Sequence, residues 1–293
     1  MKRTMTLAAV MAGLALAAGA SADSSLSDMN ANSGTAKKTA VADGWQGSLG
    51  FGALETSGNT NTDSMNAKAL FGYKSGNWQD SLLFQGLRAT SDGVLTAESF
   101  EGNGQANYNF TDSDYVFGNL DYLRDTFSGY DRRTSEVTGL GRRLLASDSQ
   151  QLDIQFGVGL RQTRYTDDTS KSEAVEQLAG SYLYKFGPSN SNSFTENMSV
   201  EHGVSNTYSQ SVTGLTTNIA GSFALSITYT VSHNSSVLPG FKNTDRSTAI
   251  SLVYSFPPPA PPAPPPPPPA CSCASAPADT SAAPAAATGG PPR

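Results

Sequence analysis

From Trp45 onward apolar and polar residues alternate in long runs. In one run Leu152, Ile154, Phe156, Val158 and Leu160 alternate with Asp153, Gln155, Gly157, Gly159 and Arg161. In another, Phe223, Leu225, Ile227, Tyr229 and Val231 alternate with Ala224, Ser226, Thr228, Thr230 and Ser232. A last run sets Ile250, Leu252, Tyr254 and Phe256 against Ser251, Val253 and Ser255. Side chains on a strand switch faces at every residue, so a period of two predicts strands with one apolar and one polar face. Clusters of Gly, Asn, Asp, Ser or Pro cut the pattern into about twelve strands. They are expected at 45–56, 62–75, 78–91, 99–112, 115–128, 132–147, 151–166, 173–187, 192–204, 208–219, 223–234 and 245–256.

Alternation by itself also fits a soluble β-sandwich. Strand length separates the two, because globular strands average about 5–6 residues and a tilted transmembrane strand needs about 9–11. Aromatic residues crowd the strand ends: Trp45, Tyr73, Trp78, Tyr108, Phe110, Tyr115, Phe117, Tyr184, Phe186, Tyr254 and Phe256. Girdles of aromatics at both interfaces mark membrane barrels. Glu101, Asn103, Gln105, Asn107 and Asn109 share one side of one strand, a row that a wet lumen tolerates and a dry core does not. The expected fold is all-β, an antiparallel transmembrane up-and-down β-barrel of about 12 strands over residues 44–256. An even strand number puts both termini on the periplasmic side. Short turns are then expected at Gly76–Asn77, Ser113–Asp114, 148–150, Gly187–Pro188 and Gly221, with longer outer loops at 92–98, 167–172 and 235–244. The Gly58–Asn61 loop is short against that trend.

Composition divides the rest of the chain. Lys2 and Arg3, an Ala- and Leu-rich stretch to about Ala20 and the small-x-small site Ala20-Ser21-Ala22 read as a secretory signal peptide over residues 1–22. The chain is therefore expected to leave through the Sec pathway and reach the outer membrane. Residues 23–43 lack periodicity and are expected to form a flexible leader. Residues 257–293, mostly Pro and Ala, are expected to form a disordered tail, partly polyproline II. Loss of Lys2 and Arg3 takes the formal charge from −6 to −8, a poor balance for nucleic acid, since phosphate binding needs clustered Lys and Arg. Cys271 and Cys273 both lie in the tail, so the barrel has no disulfide framework. Two ligands make an incomplete metal site.

Several stretches resemble the family of salt-induced outer-membrane proteins (YdiY-like), defined by a domain of unknown function. They are LGFGALETSGNTNTD from Leu49 to Asp63, YVFGNLDYLRDTFSGYDR from Tyr115 to Arg132, FGVGLR from Phe156 to Arg161 and TDRSTAISLVYSF from Thr244 to Phe256. The resemblance covers the whole expected barrel. It implies an outer-membrane location and a link to salt or osmotic response, with no substrate and no catalytic residue. Members usually end at the aromatic that closes the last strand, and here a proline-rich tail follows Phe256. Tyr254 and Phe256 resemble the closing signal read by the barrel-assembly machinery.

Candidate chemistry is sparse, and no catalytic residue, cofactor or metal site is expected. Asp121, Arg124, Asp125, Arg132 and Arg133, with Arg142 and Arg143 further along, are candidate lumen or rim charges. They could form an ion-selecting constriction or simply pair and fill a narrow barrel, and the second is favoured. A barrel lipase would need a Ser–His pair with an orienting group. Only His202 and His233 are available, and each reads as an ordinary polar strand residue. Asp167, Asp168 and Glu173 carry oxygen ligands but lack the spacing of a calcium loop. Expected partners are outer-membrane lipid, the barrel-assembly machinery and, through the tail, peptidoglycan. Two functional readings stand on the sequence: a non-enzymatic barrel with an envelope or osmotic role, for instance as a narrow channel, and an anchoring barrel whose tail contacts the cell wall. The lipase is the third and weakest.

Overall fold

The computed structural model describes residues 44–56 and 61–256. The signal peptide, leader, tail and the 57–60 loop lie outside these residues. The twelve strands are β1 (Gly44–Thr56), β2 (Thr62–Ser75), β3 (Trp78–Ser91), β4 (Val94–Asn109), β5 (Asp114–Asp125) and β6 (Tyr130–Ala146), followed by β7 (Gln150–Tyr165), β8 (Ser170–Phe186), β9 (Asn192–Gly203), β10 (Thr207–Ala220), β11 (Phe223–Asn234) and β12 (Thr244–Phe256). Each strand pairs antiparallel with its sequence neighbours, and β12 pairs with β1 to close the barrel. The closing register sets Leu49 opposite Tyr254 and Phe51 opposite Leu252. Closure removes the edge strands, so no row of backbone groups is left unpaired in lipid.

The faces are inverted relative to a soluble sandwich, as the expected barrel requires. In β7 Phe156, Val158 and Leu160 are 56%, 51% and 52% exposed, while Asp153, Gln155 and Arg161 are buried. Leu225, Ile227, Ile250 and Leu252 likewise face out. The apolar face therefore meets the surroundings and the polar face fills the interior, the arrangement of an outer-membrane barrel. Aromatic pairs ring the end where Gly44 and Phe256 lie, here called the terminal end. Ring centroids are 4.8 Å apart for Trp45–Tyr73, 5.2 Å for Trp78–Tyr108, 5.6 Å for Tyr184–Phe186 and 5.2 Å for Phe223–Tyr254.

Two expectations need correction. Tyr115 and Phe117 belong to no girdle; both are buried inside with Val137 and Val175. Their inward parity is allowed because the facing strands carry glycine: a Cβ on Gly141 would run into the Tyr115 ring, and one on Gly157 would lie 2.6 Å from Val137 Cγ1. The other correction concerns the loop expected at 92–98. It is a tight turn at Asp92–Gly93, and β4 starts at Val94. Both turn residues have positive φ, 49° and 77°, the left-handed conformation that an Asp-Gly pair supplies to a tight hairpin. Loops at the end opposite the termini, the loop end, are mostly as short as the turns. The exception is 235–243.

Candidate functional site: the lumen and its mouth

At twelve strands a barrel is wider than the eight-stranded kind that side chains fill and narrower than porins of 16–18 strands with open channels. The size of the inward side chains therefore decides how much room remains. On β3 to β10 they are mostly buried, with long polar side chains and bulky apolar ones such as Leu83, Tyr115 and Phe117 filling the interior together. Gln85 donates to Glu101 (2.8 Å), Asn103 to Asp121 (3.0 Å), Asn119 to Asn103 (2.9 Å) and Gln105 to Asn107 (2.7 Å). The row from Glu101 to Asn107 thus faces inward as expected, yet it is packed against neighbours and Glu101 is wholly buried. Nearer the terminal end Arg143 pairs with Asp153 at 3.1 Å.

The other wall differs. On β11, β12, β1 and β2 a few inward residues such as Gly52, Leu70 and Ser232 are buried. Ser226, Thr228, Thr230, Ser247, Ala249, Ser251, Ser48, Gly50, Ser64, Asn66 and Lys68 also face inward and are only half-buried. Apart from Lys68 these side chains are short and leave space that long ones would fill, so an accessible gap follows this wall, lined mainly by hydroxyls. Ser251 donates to Asn66 Oδ1 at 2.8 Å within it.

The loop end of the packed side is roofed. Arg161, 1% exposed, donates to Glu173 (2.8 Å), Glu201 (3.3 Å) and the backbone oxygen of Asn206. Glu173 also accepts from the Ser205 backbone N–H and hydroxyl, each at 2.8 Å. The β9–β10 turn is thereby drawn over the mouth. Asn206 in turn donates to Asn234 (2.9 Å) and accepts from the Ser236 N–H (3.0 Å), and the Tyr130 hydroxyl donates to Asn234 (2.8 Å). Arg133 stacks between Tyr130 and Tyr208, 5.4 and 4.3 Å from the ring centres. A desolvated guanidinium over two aromatic faces is held by their quadrupoles.

The candidate charges fall on both sides of the sheet. Asp121 and Asp125 point inward. Asp125 accepts from the Phe127 and Ser128 N–H groups and from the Ser128 hydroxyl, at 3.2, 3.0 and 2.9 Å, which caps the 3-10 turn at Thr126–Ser128. Arg124 and Arg132 are exposed on the outer face. Arg142 is also outward, 3.1 Å from Asp114. These five therefore line no common constriction, because residues of opposite parity on a strand face opposite sides. The inward arginines are Arg133, Arg143 and Arg161, and Lys68 points inward on the opposite wall. A sequence signal marked Arg161 and Arg143: Arg161 shares the parity of Asp153 and Gln155, and Arg142, not Arg143, shares that of Leu140 and Leu144.

The remaining candidates are dispersed. His202 and His233 are exposed, with Nδ1 at 2.8 Å from Thr207 Oγ1 and 2.9 Å from Thr244 Oγ1. Asp167 accepts from the Thr169 N–H and hydroxyl, and these bonds hold its carboxyl below the ordinary value. Asp168 pairs with Arg164 at 2.8 Å, and Glu173 is engaged by Arg161. Among the described residues no group of three His, Cys, Asp or Glu side chains could hold a metal ion.

Comparison with known proteins gives a family and a set of similar barrels. The family described as "Protein of unknown function, DUF481" matches residues 49–256. The uncharacterized protein YdiY of Escherichia coli (strain K12) is 29% identical over 259 residues, which is 87% of this chain and 100% of YdiY. Among solved structures, the NanC porin is 10% identical with a TM-score of 0.45, over 71% of this chain and 98% of the porin. The KdgM porin is 12% identical with a TM-score of 0.42, over 72% and 99%. The translocator domain of autotransporter NalP from Neisseria meningitidis is 11% identical with a TM-score of 0.41, over 72% and 88%.

Proposed function

The chain belongs to the DUF481 family, and we propose that it is a non-enzymatic outer-membrane barrel with an envelope or osmotic and salt-response role, exercised as a narrow channel. The observation that supports this is the division of the lumen, packed and roofed along β3 to β10 and half-open along β11, β12, β1 and β2. Hydroxyls along the open wall can replace water around small solutes and ions, and the narrowness of the gap sets the size limit. The reading includes Sec export, periplasmic termini and recognition of Tyr254 and Phe256 by the barrel-assembly machinery. An even strand count, which puts Gly44 and Phe256 at one end, also supports the second reading, in which the tail from 257 onward contacts peptidoglycan.

The test is conductance of the full mature chain in a planar bilayer. Small, salt-dependent steps are expected. Thr228→Trp and Ser251→Trp, which fill the gap, should reduce them, whereas Ile227→Trp on the outer face should not. A folded barrel with no steps, or steps indifferent to both inward tryptophans, would overturn the channel reading.

A further inference from the structure

The outer face of the barrel carries a groove of about 850 Å³ across strands β2 to β7, within the roughly 300–1,000 Å³ typical of small-molecule sites. Its floor is made of residues with little or no side chain, Gly104, Ala106 and Gly118, which lie outward on neighbouring strands. Leu82, Leu120 and Leu160 supply apolar surface beside them. At its mouth, in the aromatic belt, Asp80 sits in register with Tyr73, whose ring packs on Trp45.

Gly118 singles this groove out. Inside a strand glycine is unfavourable relative to alanine, and it is usually explained by a positive φ or by a close neighbour. Gly118 has neither: its φ is not in the left-handed region, and an added Cβ would meet nothing within 4 Å. Gly141, by contrast, is required by the Tyr115 ring. What the absent side chain at 118 preserves is open space on the lipid side.

Asp80 indicates what fills that space. It makes no hydrogen bond or ion pair to another described residue, although it lies at the apolar boundary. An uncompensated carboxylate there calls for a cation. The lining residues include no Lys or Arg, and Glu136 on the far wall adds a second acidic group, so an anionic headgroup is repelled. A protonated amine satisfies the Asp80 carboxylate and can lie against the Trp45 and Tyr73 rings. We propose that this groove binds a diacyl lipid with an ammonium headgroup, its amine at Asp80 and its chains over Gly104 and Gly118.

Native mass spectrometry of the full chain tests this after exchange into an equimolar mixture of dioleoyl phosphatidylethanolamine and dioleoyl phosphatidylglycerol. Retention of the ethanolamine lipid over the glycerol lipid is expected, by roughly tenfold for a charge-assisted contact. Asp80→Asn should remove the preference while leaving lipid bound, and Gly118→Leu should remove the bound lipid. Both variants should keep wild-type channel steps, since neither side chain enters the lumen. Equal retention of both lipids by the wild type overturns the proposal. So does unchanged retention by a heat-modifiable, folded Gly118→Leu barrel, or the appearance of a lipid-free dimer that Gly118→Leu abolishes. If Gly118→Leu fails to fold, loss of the preference in Asp80→Asn supports the amine site, and its persistence overturns it.

Discussion

At the residue scale the protein is governed by charges placed where water is scarce. Arg161 is the extreme case, buried between Glu173 and Glu201 and bound to the backbone of the turn that roofs the mouth. Removing one partner of a buried ion pair costs about 3–5 kcal/mol, because the charge left behind stays desolvated. Arg161→Ala strands two carboxylates and releases Asn206. It should lower the temperature at which heat-modifiable migration is lost and raise conductance by loosening the roof. Arg161→Gln, which keeps donors for Asn206, should open the mouth less. Unchanged stability and conductance in Arg161→Ala would remove the roof from the account. Arg142, one of the candidate charges, behaves differently. Arg142 and Asp114 lie on the outer face near the terminal end, with side chains 62% and 28% exposed, and exposed pairs are worth about 0–1 kcal/mol.

At the element scale the strand that closes the barrel matters most for assembly. β12 has to find β1, and its outward residues Tyr254 and Phe256 meet Leu49, Phe223 and Gly47. Phe256 lies over Gly47, where any Cβ would collide with its ring, and 6.1 Å from the Phe71 ring centre. The seam is thus a fitted aromatic contact at the terminal end. Tyr254→Asp together with Phe256→Asp should reduce the assembled, heat-modifiable form, since both aromatic rings of the fitted seam are lost. Truncation after Phe256 leaves every barrel pair intact and should preserve assembly. Loss of assembly in the truncated chain would place part of the fold beyond Phe256.

At the scale of the whole molecule the barrel is an inside-out object, with an apolar exterior and a polar, largely packed interior. Such a surface cannot be exposed to water without aggregation, as contiguous apolar patches of this extent mark a membrane or partner interface. The mature chain should therefore fractionate with the outer membrane and migrate faster on gels when unheated. Recovery as a soluble periplasmic monomer would contradict the outward placement of Phe156, Leu160, Ile250 and Leu252.

The sequence by itself determined the strands, their number to within the reading of the turns, and which residues share a face, because a period of two is a local property of extended backbone. It placed Arg161 with Asp153 and Gln155 for that reason, and it located the turns at Gly76–Asn77 and Gly221 through their glycines. It overextended the loop at 92–98: Asp92–Gly93 is the whole hairpin turn, and Val94 and Leu95 already pair with Ser91 and Thr90. Alternation alone is symmetric between sandwich and barrel, but strand length, aromatic strand ends and the polar row from Glu101 pointed to a barrel with a polar lumen, as the closed sheet shows. Only the tertiary structure decided which inward groups meet, for instance Asp121 with Asn103 and Arg143 with Asp153. The half-open gap is tertiary as well: it depends on which strands stand opposite one another around the ring, so that short side chains from β11, β12, β1 and β2 fall together. The same is true of the latch joining Arg161 to Glu173, Glu201 and Asn206. These residues are far apart along the chain, and closing those long loops becomes favourable only once the whole barrel has formed.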